Sequence, residues 1–241
     1  MNILITENYE DMSLNAFKIM KETVTRNPNA VLGLSTGSTP IGLYKLMIED
    51  HIQNGTSYKH IKTVNLDEYV GLDYSNNQSY IYFMREHLFD HIDIDLKNVN
   101  IENGKAEDRQ AECERYDKLL CEMQQDIQVL GIGSNGHIAF NEPGTPFGST
   151  THIVDLTKST IKDNSRLFKN IEEVPRQAFT MGIKNIMNAK KILILAIGAN
   201  KAKAVWGLVC GPIDENLPAS ILQLHPDCTL ICDEAAAALL S

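Results

Sequence analysis

Gly131-Ile132-Gly133-Ser134-Asn135-Gly136-His137-Ile138-Ala139-Phe140-Asn141-Glu142-Pro143-Gly144 is the stretch on which the reading of this chain turns. Before it stands Ile127-Gln128-Val129-Leu130, a short apolar run with β-branched residues, which reads as a buried strand of an α/β sheet. The stretch is therefore a loop at a strand's carboxyl end, the side on which open α/β sheets bind ligands. Four glycines let its backbone turn sharply and come close to a ligand. Into the loop are set an imidazole and a carboxylate, His137 and Glu142, a pair able to trade a proton near neutral pH.

Gly131, Gly133 and Gly136 also match the dinucleotide pattern G-x-G-x-x-G. That fingerprint opens a helix and is followed by an acidic residue ending the next strand. Pro143, Gly144 and Pro146 forbid an immediate helix, and Asp155 comes without a crossover helix before it. The dinucleotide reading is set aside. A turn histidine satisfied by a backbone carbonyl is the plain alternative for His137, and only the rest of the chain weighs against it.

Outward from the loop, strand-like and helical runs alternate over all 241 residues with no linker and no repeat. One domain, 1–241, is expected. Asn2 to Thr6 reads as a strand and Tyr9 to Thr25 as a helix. Ala30 to Ser35 is a buried strand running into Thr36-Gly37-Ser38-Thr39-Pro40, after which helical spacing begins at Ile41. A strand, a hydroxyl-rich small-residue loop and a helix N-terminus form an anion cradle, because unpaired N–H groups and the helix dipole favour a phosphate. A plain N-cap by Ser38 or Thr39 is the alternative. The loop lacks the Gly-Lys-Ser/Thr ending of a Walker A motif.

Ile61 to Leu66 predicts another strand, ending in Asp67-Glu68, whose side chains point opposite ways if extended. One acid then faces the ligand side and the other is held elsewhere, the alternative being a cap or a solvated pair. A helix is expected through Phe89. His87 and His91 have the spacing of a zinc pair, but His-Leu-Phe-Asp-His is not H-E-x-x-H, so surface histidines are expected. Ala106 to Gln125 reads as an amphipathic helix and Thr151 to Leu156 as a strand. Helical pieces are expected around Ala178 to Met181 and Ile186, a strand at Lys191 to Ile197, and a helix at Ala202 to Val209. Lys201 falls at that helix start, where a bound anion would relieve its clash with the dipole. Pro218 to Leu224 predicts a short helix, Thr229 to Cys232 a strand and Ala235 to Leu240 a terminal helix.

A net charge of −9 argues against nucleic-acid and membrane-surface partners, since phosphate backbones call for clustered Lys and Arg. Five cysteines without a C-x-x-C pair suggest free thiols in a reducing compartment. With no signal-like N-terminus and no apolar run of spanning length, a cytoplasmic protein is expected. The strand-end loops together suit a small phosphorylated substrate on which protons move, with no cofactor or metal motif in the chain.

These loops carry a resemblance to the glucosamine-6-phosphate deaminases. It runs from about residue 2 to about 234 and rests on Gly33-Leu34-Ser35-Thr36-Gly37-Ser38-Thr39-Pro40, Asn65-Leu66-Asp67-Glu68-Tyr69-Val70-Gly71-Leu72, Gly136-His137-Ile138-Ala139-Phe140-Asn141-Glu142-Pro143, Asn164-Ser165-Arg166 and Leu222-Gln223-Leu224-His225-Pro226. The resemblance implies a three-layer α/β/α domain with a mostly parallel, Rossmann-like sheet, and cofactor-free conversion of glucosamine 6-phosphate and water to fructose 6-phosphate and ammonia. It implies that Asp67 moves the C2 proton to C1, that His137 opens the sugar ring with Glu142 supporting its charge, and that Thr36 to Thr39, Arg166 and Lys201 clamp the phosphate.

Two departures stand out. Well-known members have an aspartate where this chain has Asn135, so His137 is expected to be positioned by the Asn135 amide and charged with help mainly from Glu142. Members activated by N-acetylglucosamine 6-phosphate have basic residues where Thr151-His152-Ile153-Val154 stands and a longer C-terminus, so a monomer or small homo-oligomer is expected rather than an allosteric hexamer. The alternatives are a 6-phosphogluconolactonase, which needs no enolisation base and so no Asp67, and a sugar-phosphate sensor, which would need a DNA-binding segment and a basic patch.

Overall fold

The β-branched runs pair into a seven-stranded parallel sheet of order β1-β10-β9-β6-β2-β3-β5 in a computed structural model describing residues 1–156 and 174–240. The strands are β1 (Asn2–Thr6), β2 (Val31–Leu34), β3 (Lys62–Asn65), β5 (Val99–Asn100), β6 (Ile127–Gly131), β9 (Ile192–Ala196) and β10 (Cys228–Asp233). Burial on both faces explains why they read as continuous apolar runs rather than alternating ones. On one face Leu32, Leu34, Val129, Leu193 and Leu195 meet α1 (Tyr9–Arg26), α2 (Ile41–Asn54) and α3 (Tyr80–His87). On the other, Leu130, Ile192 and Ile194 meet α4 (Arg109–Glu122), α5 (Ile183–Met187) and α6 (Ala202–Cys210). The chain is an α/β/α sandwich, as the sequence predicts.

The order of the strands matters for the site. The chain winds outward from β2 through β3 to β5, then returns to β6 and winds the other way through β9 to β10. The reversal lies between β2 and β6, which pair in parallel through Leu32–Ile127 and Gly33–Gln128. A crevice opens at such a switch point, at the carboxyl ends of the strands.

A second sheet is antiparallel, in the order β4 (Asp67–Tyr69), β8 (Gln177–Thr180), β7 (His152–Asp155). Here the structure corrects the sequence reading, because Ala178 to Thr180 is strand and not helix. The segment bonds to β4 on one edge and β7 on the other, and these ladders outweigh the local preference of Ala and Met. Only the Ile183–Met187 piece is helical.

A second correction falls on the C-terminus. Ala235 to Leu240 is a chain of turns, with Ala237 N–H on the Asp233 carbonyl and Ala236 N–H on the Asp233 carboxylate. Six residues are too few to nucleate a helix unaided. The helix expected over 106–125 is shorter, capped by the Asp108 side chain. Its charges are not all solvated, since buried Glu112 takes the Asn103 N–H at 2.7 Å and pairs with Arg115 at 2.6 Å. His87 packs on the Phe83 ring and His91 Nε2 faces the Glu86 carbonyl, so the two make no ligand pair.

Candidate active site

Four neighbouring parallel strands, β9, β6, β2 and β3, send their carboxyl ends to one edge of the sheet. Each carries one of the loops singled out from the sequence. Thr36–Thr39 follows β2, Asp67 follows β3, His137 and Glu142 follow β6, and Lys201 follows β9. Parallel pairing brings the four strand ends to one edge. Arg166 lies outside the described residues.

The loop after β2 is held by two tyrosines that the sequence reading passed over. The Tyr44 hydroxyl donates to the Ser35 carbonyl at 2.6 Å. The Tyr9 hydroxyl donates to the Ser38 carbonyl at 3.0 Å and accepts the Gly42 N–H at 2.7 Å. Only their helical core spacing was visible in the sequence. Gly37 has φ +92°, which suits glycine. Neither Ser38 nor Thr39 caps α2, because the cap position is Pro40 and makes no side-chain bond. With the Gly42 N–H taken by Tyr9, the other first-turn N–H groups and the dipole of a fourteen-residue helix are left to favour an anion.

The adjacent acids Asp67 and Glu68 separate as the strand geometry predicts. Glu68 accepts N–H groups from Tyr69, Tyr80 and Ile81, the last two in the first turn of α3, where a carboxylate also meets the positive end of the dipole. It is a structural acid. Asp67 is buried, has no hydrogen-bond partner among the described residues, and is pushed up to about 8 by burial and then by Glu68. A carboxyl in such surroundings is a stronger base when ionised. Glu102, 1% exposed and with neither oxygen partnered among the described residues, is raised well above its usual range by burial, with Asp67, Glu68 and Glu112 adding to it.

In the loop after β6, Gly133 and Gly136 allow the imidazole its place. A Cβ on Gly133 would lie 2.4 Å from the His137 ring, and Gly136 has φ +85°. The Glu142 carboxylate stands 3.6 Å from His137 Nδ1. Asn135 positions this pair differently from expectation. Its amide N–H goes to Glu142 at 2.7 Å and not to the ring, while its Oδ1 accepts the His137 backbone N–H at 3.2 Å.

Lys201 opens α6, its ammonium half-buried and its pKa lowered by that burial. Among the described residues it forms no ion pair. The backbone before it is set by Gly198, whose N–H is held by both Asp233 oxygens. Of the remaining motif, His225 is buried with Nε2 at 2.8 Å from the Ala189 carbonyl, a structural contact. Among the described residues no cluster of three or more His, Cys, Asp or Glu is arranged to hold a metal.

The family profile described as glucosamine-6-phosphate isomerases/6-phosphogluconolactonase matches residues 7–231. The chain belongs to this family. Within it, the chain is 54% identical to the glucosamine-6-phosphate deaminase of Clostridium novyi (strain NT) over the full length of both. It is 52% identical to that of Halalkalibacterium halodurans over 237 residues, 98% of this chain and 96% of the relative. A solved monomeric glucosamine-6-phosphate deaminase superposes with TM-score 0.96 at 46% identity, covering 99% of this chain and 100% of that one. The 6-phosphogluconolactonase of Trypanosoma brucei, at 19% identity and TM-score 0.81, shares the fold.

Proposed function

We propose that the chain is a glucosamine-6-phosphate deaminase, converting glucosamine 6-phosphate and water to fructose 6-phosphate and ammonia in amino-sugar breakdown. The observation that carries the reading is Asp67, a buried carboxyl without a partner among the described residues, just past β3 at the edge where the His137–Glu142 pair follows β6. Lactone hydrolysis needs an activated water but no carbon base. Moving a proton from C2 to C1 needs one.

In this reading Thr36–Thr39 and the N-terminus of α2 take the phosphate, with Lys201 and Arg166 completing its charge balance. His137 passes the C1 hydroxyl proton to the ring oxygen, opening the pyranose, and Glu142 supports the imidazolium. Asp67 then takes the C2 proton, acidified by the neighbouring aldehyde, and returns it to C1 of the enolamine. The resulting imine at C2 adds water and expels ammonia. Every step is a proton transfer, an addition or an elimination, so the chemistry asks for no electron acceptor.

The whole chain, 1–241, is taken as one catalytic domain, working in the cytoplasm as a monomer or small homo-oligomer. The monomeric state described for the 46% identical deaminase supports this, and no described helix is long and apolar enough to cross a membrane. The test is ammonia release from glucosamine 6-phosphate with EDTA present, beside galactosamine 6-phosphate and 6-phosphogluconolactone. Release from the first substrate is expected. Lactone hydrolysis without ammonia would move the chain to the other branch of its family.

A further inference from the structure

The two reacting halves of the site sit on different parts of the fold. Asp67 is in β4, and the His137–Glu142 pair is in the loop after β6. Among the described residues no strand pairing joins β4 to β6, since β4 belongs to the small antiparallel sheet. What joins them is the end of β8. Thr180 is the register partner of Asp67, and residues directly opposite in an antiparallel pair project to the same face. On that face the Thr180 hydroxyl accepts the Phe140 N–H at 3.1 Å, within the segment between His137 and Glu142.

The next residue repeats the connection through its main chain. Met181 N–H donates to the Leu66 carbonyl at 2.6 Å, beside Asp67, and its own carbonyl accepts the Asn141 amide at 2.9 Å, beside Glu142. The Asn141 amide also donates to the Ile138 carbonyl, closing the loop on itself. Thr180 and Asn141 are both 0% exposed. Between these ties the backbone is held in an uncommon conformation, with Ala139 at φ +52°.

We infer that Thr180 is a positioning residue of the reaction: its side chain sets the His137–Glu142 loop against the Asp67 strand, fixing the ring-opening groups relative to the carbon base. It touches no reacting atom. The inference rests on the deaminase reading and adds to it the part that holds its two stages in register. Displacing a reacting group by about 1 Å can cost a hundredfold in rate, so a tie of this kind acts on turnover and not on phosphate binding.

The test is steady-state kinetics on the full chain with Thr180→Val, which keeps the shape and loses the acceptor, and Thr180→Ser, which keeps the acceptor. For Thr180→Val we expect kcat to fall roughly 10- to 100-fold with KM within about twofold, and the deuterium isotope effect at C2 to rise as proton removal becomes limiting. Thr180→Ser is expected to restore both. If Thr180→Val does not fold, Thr180→Ala makes the same loss without bulk and is held to the same outcomes. An unchanged kcat and isotope effect beside an active wild type overturns the inference alone, as does an equal loss in both the Val and Ser variants. A wild type that releases no ammonia overturns the deaminase reading and this inference with it.

Discussion

Glu142 faces His137 with one carboxylate oxygen, 3.6 Å from Nδ1, and holds the Asn135 amide with the other at 2.7 Å. The amide is a neutral donor that leaves the carboxylate its charge for the imidazolium. Asn135→Asp would set two carboxyls in hydrogen-bond contact, and one of them must then hold a proton. The expected outcome is an upward shift, by about one unit or more, of the acid limb of the kcat/KM profile, with lower activity at pH 7. A superimposable profile would show that this amide does not set the charge of Glu142.

The neighbours Asp67 and Glu68 should fail in opposite ways. Asp67→Asn removes a buried carboxyl that no described group satisfies, so deamination is expected to fall roughly 10²- to 10⁴-fold while the melting temperature holds or rises. Glu68→Gln weakens a three-fold acceptor at the start of α3, at a cost of about 1–3 kcal/mol, with kcat kept within a few-fold. Thermal unfolding and initial rates on both variants decide it. A large rate loss in Glu68→Gln at full stability would reverse the assignment.

Burial raises Asp67 to about 8 and Glu68 to about 7, and raises Glu102 well above the usual carboxylate range. A carboxyl with a raised folded-state pKa binds its proton more tightly in the folded than in the unfolded chain. Its contribution to stability is complete below the unfolded value, about 4, and is lost as pH rises through the folded one. Urea midpoints are therefore expected to fall between pH 5 and pH 8.5, and Glu102→Gln, which mimics the protonated acid, to flatten that slope. Activity should move the other way, rising toward pH 8 as Asp67 ionises. A midpoint that climbs over this range would contradict the buried-acid account.

Gly33 sits in the centre of β2 because of Gln128 across the ladder. A Cβ at Gly33 would lie 2.0 Å from Gln128 Oε1 and 2.4 Å from its Cδ, and Gln128 is 0% exposed. Gly33→Ala is expected to cost about 1–3 kcal/mol through overpacking. Combined with Gln128→Ala it should cost less than the two separate losses added, which a double-mutant cycle by urea unfolding measures. Strict additivity would mean the clash is relieved some other way.

Much of the site could be read from the chain because its chemistry is local. A strand followed by Thr36-Gly37-Ser38-Thr39, or by Gly133 to His137, needs only a few consecutive residues to declare a turn and a helix start. Fully buried parallel strands announce themselves as apolar runs, so β2, β6 and β9 were placed to within a residue or two. The misreadings fall where a segment's structure depends on distant partners. Gln177–Thr180 is a strand only because β4 and β7, more than twenty residues away in sequence, flank it. Ala235 to Leu240 has helical composition but is too short to nucleate a helix, and it lays Ala236 and Ala237 on the core as turns.

The sequence by itself determined the kind of fold, the strand ends that carry function and the residue types available there, because periodicity and turn chemistry act over a few residues. Tertiary structure alone decided which acid of the Asp67–Glu68 pair is left without a partner among the described residues, where the Asn135 amide points and how Thr180 joins the two halves of the site. Those are relations between segments far apart in the chain, set by the order in which strands pair and by which polar groups burial leaves for one another.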